Sequence, residues 1–236
     1  MNNQEKTNKK KELILFIVLG IILFFIVAGT ITISVITNKQ EECSEDSGVI
    51  MPSGYRKPII YLYPTEETEI SVKLGHPEML TCSYPLYQDG WNVVAKPDGS
   101  LVDLKTGRKL YSLYWEGIDD TKLSFEEGFV VKGLDTAYFL EEKLEILGLN
   151  EFEAEEFILY WLPELQKNEY NFIHFASLEE INEIMSLEFS KKPDTLIRVL
   201  MEFKKLDSYI EVKEQQLETP TRQGFTVVEW GGVEVK

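Results

Sequence analysis

The chain has 236 residues, with 24 Lys and Arg against 40 Asp and Glu, for a formal net charge of −16. Hydrophobic residues at 44% and aromatics at 12% exclude a disordered acidic tail and are enough to build one sizeable core. So acidic a chain is repelled by phosphates, which excludes nucleic acid as a partner, and two Cys with two His are too few for a zinc site or a disulfide scaffold.

Residues 1–12 carry Lys6, Lys9, Lys10 and Lys11 and read as a cytoplasmic tail. From Leu13 to Ile36 there is no charged residue. As a helix that run is about 36 Å long, against a hydrocarbon core of about 30 Å. No face of it is polar, which argues against a buried helix of a globular core. The run is too long for the apolar region of a cleaved signal peptide, and Ala28-Gly29-Thr30 lies inside it. The expectation is a single uncleaved transmembrane helix over 13–36. Lysines before it and Glu41, Glu42, Glu45 and Asp46 after it place the N-terminus in the cytoplasm and the rest outside. Beyond residue 37 there are 20 basic and 38 acidic side chains, so this outer part attracts cationic partners and is repelled by polyanions.

Residues 37–56 are polar, show no apolar periodicity and read as a stalk. Order is expected to begin at Lys57-Pro58, giving an extracytoplasmic domain over 57–236. Strands are predicted over 57–64, 67–74, 79–85 and 91–96, with a hairpin signal at Pro97-Asp98-Gly99 and a short return strand in 100–104. Another strand is read over 109–117 and one around 129–131. The turn spacing fits an antiparallel meander or sandwich.

Two helices interrupt this pattern. Ala137, Leu140, Leu144 and Leu147 stand at helical spacing, with Glu141, Glu142 and Glu145 facing away and Gly148 as the residue after the helix. Asn150 with Glu153 forms a capping box for a second helix whose apolar stripe is Ala154, Phe157, Ile158, Trp161 and Leu165, limited by Pro163. The short connection predicts an inserted αα-hairpin. Strands follow over 170–176, 195–203, 209–214 and 224–232, the last ended by Gly231 and Gly232, with a short helix over 177–185 capped by Ser177. The fold class is therefore α+β.

The stretches KPIIYLYP, YPLYQDGWNVVAKPDG, LYWEG, GFVVKG, YWLPEL, PDTLIRVLMEF and GFTVVEWGG resemble a family of uncharacterised bacterial proteins that are membrane-anchored or secreted. The resemblance covers residues 57–232 and implies a self-contained outer domain. No activity is assigned to that family, so it lends no catalytic residues.

No nucleophile elbow, metalloprotease helix, phosphate loop or dinucleotide fingerprint is present. His76 precedes Pro77 in a turn, and His174 lies in an apolar strand. Paired carboxylates are the one catalytic constellation to weigh. Glu116 and Glu229 both lie near strand ends beside tryptophans, and a glycosidase needs two carboxyls about 5–9 Å apart with aromatics for the sugar. The competing reading is a buried ion pair of Glu229 with Arg222 or Arg198, on an otherwise apolar strand face. Candidate ligand-binding side chains are Trp115, Tyr160, Trp161, Arg222 and Trp230, with core packing as the alternative role. Asp119-Asp120 and Asp98 lie in acidic turns without calcium-loop spacing, so no metal and no cofactor are expected.

Cys43 and Cys82 both fall on the outer side, where a disulfide persists. A bond between them would close a loop of about 40 residues, worth roughly 4 kcal/mol in the chain-entropy account. Because only Cys82 sits in the predicted folded part, free thiols are the expectation. Together these readings predict a membrane-anchored, non-enzymatic cell-envelope binding or assembly module, its partner cationic, or an envelope protein or glycan. The alternative is a membrane-tethered glycan hydrolase using Glu116 and Glu229.

Overall fold

The computed structural model describes residues 54–118 and 126–235. The predicted membrane segment 13–36, most of the predicted stalk, Cys43 and Asp119-Asp120 lie outside the described residues. Among the described residues, no helix is long and apolar enough to cross a membrane.

The fold is mixed α+β, with its strands in two sheets. Numbered in chain order, β1 (Gly54–Tyr63), β3 (Leu80–Tyr84), β7 (Leu113–Ile118), β8 (Glu127–Lys132), β9 (Tyr170–Phe175), β11 (Thr195–Leu206), β12 (Lys213–Glu214) and β13 (Thr226–Glu234) form the larger sheet. Its order is β12-β8-β9-β11-β13-β1-β7-β3. The smaller sheet runs β10-β2-β4-β5-β6, with β2 (Thr68–Leu74), β4 (Trp91–Ala95), β5 (Leu101–Asp103), β6 (Lys109–Leu110) and β10 (Leu187–Phe189). The helices are α1 (Thr136–Ile146), α2 (Glu151–Leu165) and α3 (Leu178–Ile184).

Three layers result. One core lies between the sheets and gathers Ile60, Leu62, Ile70, Val72, Trp91, Leu113, Trp115 and Val227, with Ile181 of α3. The second lies between the larger sheet and the α1–α2 hairpin and gathers Ile59, Tyr61, Leu140, Leu144, Phe157, Trp161, Val228 and Trp230. The central strands are thus covered on both faces, so β13 is buried from Thr226 through Val233.

Several expectations are corrected. Pairing is not wholly antiparallel, because β11 and β13 run parallel in continuous register from Thr195–Thr226 to Phe203–Glu234. Parallel neighbours need a long crossover. Here it is the stretch 207–225, largely without regular structure. It straps along the helix layer, with Gln215 bonded to both backbone groups of Phe175 and Arg222 to the Gly148 carbonyl. The predicted strand 209–214 therefore shrinks to two residues, paired parallel with β8.

The predicted strand 109–117 is two strands, and the chain changes sheet at Tyr111-Ser112 between β6 and β7. Gly231 and Gly232 do not end β13. They sit within it because a Cβ on Gly231 would meet Pro58 at 3.0 Å, and one on Gly232 would meet Trp161 and the Met201 carbonyl at 2.8 Å. Pro163 lies inside α2, which ends two residues later at Leu165, the last residue of the predicted apolar stripe. The missing N–H of Pro163 removes the helical bond that would otherwise run to the Leu159 carbonyl, on the exposed side of the helix.

Strand β1 begins at Gly54, three residues before the predicted start, and pairs there with Ile118. It carries a bulge between Arg56 and Ile59, where Lys57 holds φ at 62°. For a side chain other than glycine that conformation costs on the order of 1–3 kcal/mol. The Lys57 N–H donates to Glu116 Oε1 at 3.3 Å, which helps hold it.

Candidate functional site

Glu229 and Arg198 are register partners on β13 and β11. Both project toward the core between the sheets. Arg198 Nε donates to Glu229 Oε2 at 2.6 Å, Trp115 Nε1 donates to Oε1 at 2.9 Å, and Arg198 Nη1 donates to Asn182 Oδ1 of α3 at 2.8 Å. The two charged side chains are only 1% and 5% exposed. Arg198 Nη2 also lies 2.6 Å from Oε2 but at an angle that gives no directed hydrogen bond. A cavity of about 10 Å³ beside the pair is lined by Tyr55, Pro58, Trp115, Ile181, Met185 and Gly231. That is room for one water at most. Both carboxylate oxygens of Glu229 are taken, and no sugar fits against them.

Glu116 is separated from Glu229 by the sheet itself. Glu229 is registered with Ile60, and Ile60 with Leu113. Register partners share a face and successive residues alternate, so Leu113 and Trp115 lie on the face of Glu229 while Tyr114 and Glu116 lie on the other. On that second face Lys57 Nζ stands 5.8 Å from the Tyr114 ring and 5.4 Å from the Tyr160 ring of α2. The two carboxylates therefore do not flank a common space, as a two-carboxylate glycosidase requires.

The other sequence candidates divide by burial. Trp115, Trp161 and Trp230 are core residues. Trp161 packs edge-on against Tyr160 and Phe203, and Trp230 against Phe157. Tyr160 is half-buried under Lys57. Arg222 reaches from the strap to the buried Glu153 and to the Gly148 carbonyl, and stands 5.8 Å above the Tyr63 ring. It closes the end of the αα-hairpin, and its cationic partner role is satisfied within the chain. Arg198, not Arg222, pairs with Glu229. Cys82 is disulfide-bonded, which corrects the expectation of free thiols. The chain's other cysteine, Cys43, lies outside the described residues.

Two features were not singled out from sequence. The first is a tyrosine–carboxylate cluster at the start of α2. Tyr61 donates its hydroxyl to Glu156, Tyr61 and Tyr63 stack 7° from parallel, and the half-exposed Tyr111 stands 6.4 Å from both Tyr61 and Phe152. Burial first, then the Glu156 carboxylate, pushes the Tyr61 phenol far above its ordinary range. Tyr63 is raised by burial and by Glu153, and Tyr111 by burial and by Glu156. The partners come from β1, α2 and the β6–β7 crossover, so no local spacing reveals them.

The second is the outer face of the hairpin. Leu134, Tyr138, Phe152 and Leu159 are 86%, 78%, 53% and 68% exposed. Here a signal existed: Phe152 and Leu159 are seven apart, on the side of α2 opposite Phe157 and Trp161. Among the described residues, no group of three or more His, Cys, Asp or Glu is placed to hold a metal ion.

No family model, curated protein or solved structure matches this chain.

Proposed function

We propose that this protein is a single-pass, membrane-anchored module of the cell envelope, displaying its α+β domain outside to bind a partner rather than to catalyse a reaction. The observation that carries the binding half is the set of large apolar side chains left in solvent on the α1–α2 hairpin. Exposed apolar groups gathered on one face, with polar groups around them, mark interaction surfaces. The anchoring half rests on the uncharged run 13–36 and its lysine-rich upstream flank. The motif resemblance to anchored or secreted bacterial proteins agrees with it.

The hydrolase alternative draws no support from Glu116 and Glu229, which stand on opposite faces of one sheet, with Glu229 held by Arg198 and Trp115. The test is protease added to intact cells carrying a C-terminal epitope. Removal of the epitope is the expected result. An epitope that survives on intact cells and is cut only after lysis overturns the proposed topology.

A further inference from the structure

The outer face of the αα-hairpin has two properties that together specify a partner. One is apolar. The connection between the helices is centred between Gly148 and Leu149, so equal rise along two antiparallel helices sets Tyr138 level with Leu159, with Leu134 in the turn just before α1. Packed helix axes lie about 8–10 Å apart, close enough for these side chains to form one continuous patch. Phe152 extends it toward the connection, level with Glu145.

The other property is charge. Residues 136–165 hold eight Glu and one Lys. Glu142, Glu153 and Glu164 are paired with Lys143, Arg222 and Arg56, and Glu156 accepts from Tyr61. Glu141, Glu145, Glu151 and Glu155 are exposed around the apolar patch and have no cationic partner among the described residues.

We infer that this face docks a cationic amphipathic polypeptide segment, whose aliphatic side chains cover Tyr138 and Leu159 while its Lys or Arg side chains meet Glu141, Glu145 and Glu155. Charge chooses among the possible occupants. An anionic lipid surface is repelled by the four exposed glutamates that have no cationic partner among the described residues. A second copy of the chain brings the same excess of negative charge to the contact. A neutral apolar segment covers the patch but leaves the acids uncompensated. The inference rests on the binding-module reading and names the partner's chemistry.

The test uses the full chain in nanodiscs of neutral phosphatidylcholine, with empty nanodiscs as the blank. The probe is a fluorescent fourteen-residue peptide with Lys and Leu at helical spacing, followed by anisotropy. Saturable binding is expected, weakening as salt rises. It should fall by about tenfold or more in the Tyr138→Ser/Leu159→Ser variant, as for a central anchor of an interface. A comparable loss is expected in Glu141→Gln/Glu145→Gln/Glu155→Gln, with no change in Leu86→Ser, an exposed apolar residue of the β3–β4 connection. All these positions are on the surface, so an unchanged circular dichroism melt shows each variant to be folded.

The proposal is overturned by absence of binding, or by binding that none of the helix-face substitutions alters, since general acidity then accounts for it. It is also overturned if a Glu/Leu peptide of the same pattern binds equally well. Two further results overturn it in favour of another occupant. One is Leu159-dependent binding to phosphatidylglycerol vesicles, which makes the face a membrane contact. The other is Leu159-dependent self-association, which makes it a homotypic interface. Protease accessibility on cells is independent of all these results, so failure here and failure of the anchoring reading are distinguishable.

Discussion

Arg198 and Glu229 face each other across adjacent parallel strands, and the guanidinium donates from Nε to the carboxylate at 2.6 Å beneath helix α3. The pair has the chemistry of an active site and the surroundings of a core. Trp115 donates to the carboxylate and Asn182 accepts from the guanidinium, which helps two charges persist between two apolar sheets. Removing one partner leaves the other charge uncompensated. Glu229→Ala is therefore expected to destabilise the domain by about 3–5 kcal/mol. The double variant Arg198→Met/Glu229→Leu should cost less than the single one, because no buried charge is then stranded. Urea unfolding followed by tryptophan fluorescence gives both values. A double variant that loses as much stability as Glu229→Ala, or more, would show that a stranded charge does not set the cost.

The Tyr61 hydroxyl predicts a loss of stability in alkali. Its pKa is raised by burial and by Glu156. Below about pH 10, the ordinary tyrosine value, folded and unfolded chains both keep the proton and this group adds no pH dependence. Above it the unfolded chain releases the proton while the folded chain retains it. The unfolded state then binds fewer protons, and stability falls with rising pH at up to about 1.4 kcal/mol per pH unit. Tyr61→Phe should make that decline shallower, as measured by thermal melts between pH 9 and 11. A decline of unchanged steepness would assign it to other tyrosines.

Gly148 joins the hairpin to the strap. Its φ is +87°, and a Cβ there would lie 2.6 Å from Pro220. Its carbonyl accepts from Arg222, which also holds the buried Glu153. Gly148→Ala carries the left-handed penalty of about 1–2 kcal/mol, and it also displaces Pro220. The larger consequence is loosening of Arg222. Hydrogen exchange should therefore rise across 217–224 as well as at the end of α1. A rise confined to 146–149 would show that the strap is held independently.

Cys82 is disulfide-bonded, and the only other cysteine of the chain is Cys43. A monomeric protein is accordingly expected to take up no maleimide when denatured without reductant, and two equivalents after reduction. One equivalent per chain before reduction would contradict an intramolecular bond. If the bond is intramolecular, Cys82→Ser should lower the melting temperature, through loss of a cross-link worth roughly 4 kcal/mol in the chain-entropy account.

What the sequence by itself determined is what neighbours in the chain decide. Asn150 with Glu153, and Ser177 with Glu180, form capping boxes at the helix starts they mark, because cap and donor are three residues apart. Gly148 takes the left-handed conformation that ends α1, alternation located β2 and β9, and runs of strand-forming residues located β4 and β11. Net charge and the uncharged run 13–36 are likewise matters of composition. Tertiary structure decided whatever depends on a distant partner. The register of β11 beside β13 set Glu229 against Arg198 rather than Arg222, and the pairing of β13 with β1 and of β1 with β7 placed Glu116 on the other face of the sheet. The approach of Pro58 and Trp161 explains two glycines inside a strand where the sequence read a strand end. The strap settled the parallel crossover without a helix. In each of these the competing arrangements have the same local propensities, and only burial against residues tens of positions away separates their free energies.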